Sequence, residues 1–135
     1  MPETPNGSPH GIPKFQLTSI ESLAQSLVGK SVPELTSEID SHITLATAAK
    51  ADFQMLNLSL ANLIGDRLKL ALGHWGNFNE SQQFWMLGAI AYFVHSDDEE
   101  DDLRSPIGFE DDVEVFNACI RFAGHGDLVI NKEDF

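Results

Sequence analysis

The sequence predicts an all-α fold, a compact bundle of four to five helices with a flexible N-terminal tail. Apolar residues return at helical spacing along most of the chain, prolines and glycines fall between the periodic stretches, and no segment of convincing length alternates apolar with polar. At 135 residues, with 42% hydrophobic and 21% charged content, the chain can bury one core but not divide it, so 14–135 is expected as a single domain.

Residues 1–13 hold four prolines and two glycines among polar neighbours, too little apolar surface to offset the entropy of ordering, and read as the tail. They contain no basic stretch followed by an apolar run, so they do not read as a secretory signal, and the cytoplasm is the expected compartment. Leu17, Ile20, Leu23, Leu27 and Val28 then mark a short first helix, with Thr18 or Ser19 as its cap and Gly29 as its stop. Ser31 and Pro33 open a second, continued in register by Leu35, Ile39, Ile43 and Ala46. Phe53, Leu56, Leu60, Leu63, Ile64, Leu68 and Leu72 extend the periodicity to Gly73 without a proline. Residues 33–72 could form one helix or two; a helix of about 40 residues is rare in a small domain, so a break near Lys50 is expected.

Gly73–Asn79 reads as a turn, and Asn79 with Gln82 or Gln83 resembles a capping arrangement ahead of a helix over about 80–95. Trp85, Met86, Leu87, Ala89, Ile90, Tyr92 and Phe93 make that helix apolar nearly all round, which suits the centre of a bundle. Trp75, Phe78, Phe84 and Trp85 are therefore read as core. A homodimer burying Trp85 and Phe93 would give the same pattern. The apolar run Phe84–Val94 falls well short of the roughly 20 residues that span a bilayer. After a loop reaching Phe109, Val113, Val115, Phe116, Cys119, Ile120 and Phe122 form a last amphipathic helix ending at Gly124. His125–Phe135 reads as a short extension or a frayed tail, with a weak strand signal over Asp127–Ile130.

Charge narrows the function. Asp and Glu number 21 against 8 Lys and Arg, a formal net charge of −13, and no cluster of basic residues occurs. Nucleic acid and anionic membranes are poor partners for such a surface; cations and basic proteins remain as candidates. Cys119 is the lone cysteine, which excludes an internal disulfide, and its helical register reads as a small buried hydrophobe. His10, His42, His74, His95 and His125 show no His-x-x-x-His or Glu-x-x-His spacing. His95, beside the acidic loop, could add a nitrogen ligand or pair with a carboxylate, and His125 follows the Gly124 stop, where a helix C-terminus favours a cation. No nucleophile elbow, phosphate-binding glycine loop or paired-cysteine motif is present, so catalysis is not the expected class.

Ten of the acidic residues lie between Asp97 and Glu114, with Arg104 as the one basic residue among them. Their repulsion must be relieved by solvent, cations, caps or raised pKa values. An exposed loop and a divalent cation site of hard oxygen ligands, for Ca²⁺, Mg²⁺ or Mn²⁺, both satisfy that requirement. An EF-hand does not fit: counted from Asp97, Asp98 or Glu99, the position that needs glycine falls on Asp102, Leu103 or Arg104. Glu110, Asp111 and Asp112 also suit a helix N-terminus, where carboxylates meet exposed N–H groups.

Tyr92-Phe93-Val94-His95-Ser96-Asp97-Asp98, followed by Asp102, Gly108, Phe109, Asp111 and Asp112, resembles the signature of the YkvA-like family, small helical bacterial proteins of unknown function. Ser96 and Asp101 stand where that pattern has prolines, and Glu99 and Glu100 where it has apolar residues, which implies a more solvated loop. The resemblance spans 92–115. It implies a helical fold and gives Asp98, Asp102, Asp111 and Asp112 the standing of positional carboxylates. Two functions follow as expectations: a non-enzymatic interaction module whose acidic segment, 97–114, meets a basic protein surface, and a divalent-cation-binding domain using Asp98, Asp102, Asp111 and Asp112, with Asp97 or Glu114 as further ligands.

Overall fold

The computed structural model describes residues 7–51, 57–94 and 110–131. Among them are five α-helices, α1 (Lys14–Gln25), α2 (Val32–Lys50), α3 (Leu58–Leu72), α4 (Glu80–Val94) and α5 (Glu110–Phe122), and two short 3₁₀ turns, Trp75–Asn77 and Gly126–Leu128. The expected all-α bundle is what forms.

Local chemistry sets most of the helix ends. The Ser31 hydroxyl accepts the Glu34 backbone N–H at 3.3 Å while the Glu34 carboxylate accepts that of Ser31 at 2.7 Å, a reciprocal capping box with Pro33 in the first turn. Asn79 and Gln82 make the equivalent exchange before α4, at 2.8 and 2.9 Å. Gln83, the other residue considered for that cap, instead donates to the Trp75 carbonyl. The Asn57 side chain accepts from Leu60 and opens α3, so the run from 33 to 72 is broken between α2 and α3. At the end of α5, Gly124 takes φ +86, His125 N–H bonds to the Ile120 carbonyl and Gly124 N–H to that of Arg121, a Schellman stop.

The cap expected for α1 is corrected. The helix begins at Lys14, behind Pro13, and lacks a side-chain cap. Thr18 lies inside it, its hydroxyl turned back to the Lys14 carbonyl at 3.2 Å. Proline presets φ for a helix entry, and the helix starts five or six residues earlier than a cap at Thr18 or Ser19 would have marked.

Cross-contacts fix the packing order. Gln16 on α1 donates to the Tyr92 hydroxyl on α4, and a Cβ at Gly88 would stand 2.4 Å from Ile20, so α1 packs on α4 at very close range. Lys69 pairs with Asp40 at 2.8 Å and Gly65 faces Ile39 and Ile43, which makes α2 and α3 an antiparallel hairpin. Gln82 reaches the Phe122 carbonyl, making α4 and α5 antiparallel as well. α4 thus touches α1, α2 and α5 and is buried over most of its circumference, as its apolar sequence predicts.

The chain beyond α5 is held rather than frayed as far as it is described. Arg67 donates to the Leu128 and Val129 carbonyls, and the Asn117 side chain brackets Ile130, donating to its carbonyl and accepting its N–H. That two-bond bracket gives Ile130 the satisfaction a strand partner would have given, without a strand. Part of the segment read as a tail also lies against the helices: Pro9 is buried, Ile12 packs on the core and the Gly7 carbonyl accepts the Trp85 indole N–H. Among the described residues, no helix is long and apolar enough to cross a membrane.

Candidate functional site

Of the four carboxylates singled out by spacing, Asp98 and Asp102 lie outside the described residues, as does His95. Asp111 and Asp112 sit in the first turn of α5 and part company there. Asp111 is exposed together with Glu110 and Glu114, whereas Asp112 is 3% exposed, because adjacent helical residues project about 100° apart and α5 lays one side on α4. The first turn of α5 therefore carries an outward acidic edge and one inward carboxylate.

The antiparallel run of α4 and α5 puts Asp112 at the level of the last turn of α4. Phe93 in that turn meets the ring of His42 edge-on, with centroids 4.8 Å apart and planes at 73°. His42 comes from α2 and is 2% exposed. The end of the bundle from which the acidic segment departs thus buries an imidazole and a carboxylate within an otherwise apolar core. Sequence reading passed over His42 because the usual metal-ligand spacings were absent. The signal was the stripe Leu35, Ile39, His42, Ala46, in which a histidine occupies a core register. At the same end Ser26, Leu27, Lys30, Glu38, Ala91 and Val94 line a shallow groove of about 280 Å³, crossed by a 3.6 Å Lys30–Glu38 pair.

A second group of rings gathers at the other end. His74, after α3, stacks on His125, after α5, with centroids 4.4 Å apart and planes at 28°; Phe78 meets His125 edge-on at 5.4 Å and Trp75 meets Phe78 at 5.8 Å. Asp127 approaches His125 Nδ1 at 3.9 Å. Phe78, Phe84 and Trp85 are core, as read from their spacing, and Trp75 is half-buried against it.

Among the described residues, no group of three or more His, Cys, Asp or Glu side chains is arranged to hold a metal ion. Cys119 is fully buried, and burial pushes its thiol far above the ordinary range, which deprives it of the thiolate that nucleophilic chemistry needs. No protein-family model, curated protein or solved structure matches the chain.

Proposed function

We propose that this chain is a non-enzymatic interaction module whose acidic segment, 97–114, meets a basic surface on a partner protein. The observation that carries the reading is the outward acidic edge of α5, Glu110, Asp111 and Glu114, which belongs to a segment with ten carboxylates and one arginine. A surface of one sign focuses the field and raises the rate and orientation of encounter with the opposite sign. A lysine-rich peptide tests it. Reversing Glu110, Asp111 and Glu114 to Lys should weaken binding at near-physiological salt by about tenfold, well beyond the effect of reversing Asp66, Glu80 and Asp127, an equal charge change elsewhere. Equal losses from the two sets would reduce the interaction to net charge and overturn the reading.

A second reading is a divalent-cation domain in which Asp98, Asp102, Asp111 and Asp112 hold Ca²⁺, Mg²⁺ or Mn²⁺. The density of hard oxygen donors between Asp97 and Glu114 supports it, with Asp111 and Asp112 in the first turn of α5. A cation-specific, saturable rise in melting temperature, abolished by Asp98→Asn or Asp111→Asn, is its expected signature. Kinship with the YkvA-like family over 92–115 belongs to the same proposal.

A further inference from the structure

Two imidazoles meet where α3 and α5 end. His74 follows the Gly73 cap of α3 and His125 follows the Gly124 stop of α5, and their rings stack with centroids 4.4 Å apart and planes at 28°. Phe78 closes on His125 edge-on, and the His125 side chain is only 25% exposed, so water screens the pair incompletely. His125 also leads into the Gly126–Leu128 turn, accepting the Leu128 N–H at its carbonyl at 2.9 Å. The stack is thus the first anchor of the chain beyond α5, ahead of the Arg67 bonds to Leu128 and Val129.

We propose that this stack is an acid-sensitive latch, which holds His125 and the turn after it against His74 and Phe78 while at most one ring carries a proton, and opens when both do. Two opposed demands meet at the pair. Each ring lies just past a helix C-terminus, where exposed carbonyls favour a cation, so each draws a proton as the solution becomes mildly acid. Stacking holds two such charges 4.4 Å apart, where an incompletely screened pair repels strongly. Moving the rings apart satisfies both helix ends and removes the repulsion. The open form therefore binds more protons than the closed one, and acid favours opening.

The charged groups on the surrounding elements accommodate one proton and not a second. Asp127, 3.9 Å from His125 Nδ1, pairs with a proton there. From α3, Arg67 sets a permanent positive charge beside the turn, while Lys69 is taken up by Asp40 and Asp66. Arg121 in the last turn of α5 and Glu80 in the first of α4 are exposed and of opposite sign, and the Trp75–Asn77 turn carries no charge. Among the described residues, no carboxylate pairs with His74. A proton on His74 thus meets a ring already charged and an arginine close by.

Nuclear Overhauser effects between ring protons test the latch on the full chain. Between about pH 7.5 and pH 5, the range in which imidazoles gain their proton, the effects linking His125 to His74 and to Phe78 should fall at least about fivefold. Those between His42 and Phe93, in the core, should persist. His74→Phe keeps a ring in the stack but withholds one proton, so in that variant the effect between His125 and Phe78 should survive at pH 5. His74→Gln withholds the same proton and serves if the first variant does not fold. Undiminished effects in the wild type at pH 5, or an equal fall in the His74 variants, would overturn the proposal. So would a fall shared by His42 and Phe93, since acid would then be loosening the whole bundle.

Discussion

Gly88 is the residue on which the tightest packing of the molecule turns. A methyl group there would come within 2.4 Å of Ile20 Cγ2 and 3.3 Å of the Ile20 carbonyl oxygen, so α1 and α4 approach at a distance that only glycine permits. Gly88→Ala gains helix propensity of about 1 kcal/mol but must push α1 and α4 apart, and overpacking of a core typically costs about 1–3 kcal/mol. The expected net result is destabilisation, read as a lower urea midpoint at unchanged slope. Ile20→Ala removes the methyl that would be struck, so the double variant should lose less than the sum of the two single variants. Additive losses would mean that the clash is relieved elsewhere. Gly65 is the contrasting case, since its added methyl would meet the tip of Ile43 at 3.1 Å, a flexible side chain able to move aside.

At the scale of elements, caps decide where helices begin, and the Ser31–Glu34 box is the one that joins geometry to pH. The Ser31 backbone and hydroxyl hold the Glu34 carboxyl below its ordinary pKa by hydrogen bonding to the charged form. A group whose folded pKa is depressed lends stability above its unfolded pKa, and that contribution is lost as pH falls through the folded value. Glu34→Gln, which keeps the shape of the box but removes the charge, should therefore lower the melting temperature near neutral pH, and the difference from wild type should shrink as pH falls and Glu34 protonates in the wild type. A difference independent of pH would mean that the charge of Glu34 adds nothing to the cap. The Ser31–Pro33 start, the Asn79–Gln82 pair and the Gly124 stop were legible in the sequence because each signal is complete within a few residues, although Glu34 was not singled out as the partner of Ser31. The break between α2 and α3 was expected from helix length alone, not from a local signal. The entry of α1 was misplaced because Pro13 could act there without a hydroxyl. Contacts between distant residues left no local trace: Arg67 reaches the last described turn, Asn117 brackets Ile130, and Trp85 holds Gly7. The candidate site divides the same way. Charge density was visible at once, but the inward turn of Asp112 and the burial of His42 depend on which helices meet them.

For the molecule as a whole, the excess of 13 negative charges acts on the folded state more strongly than on the expanded chain, because folding brings the charges closer together. Exposed pairs such as Lys69–Asp40 and Lys30–Glu38 offset little of it, since surface ion pairs contribute at most about 1 kcal/mol each. Screening should therefore stabilise this protein. Raising NaCl from about 20 mM to about 500 mM shortens the Debye length to a few ångströms, and the melting temperature should climb by several degrees without saturating sharply. That rise is the background against which any cation effect must be judged. Ca²⁺, Mg²⁺ and Mn²⁺ compared with Na⁺ at equal ionic strength should add a further saturable rise if carboxylates of 97–114 hold an ion, and Asp98→Asn or Asp111→Asn should remove that increment while leaving the NaCl response intact. If the three divalent ions do no more than the common salt response, and the variants follow the wild type, the carboxylates act together as a field. Their charge is then free to serve a basic partner, and adding salt should weaken that association while it strengthens the fold.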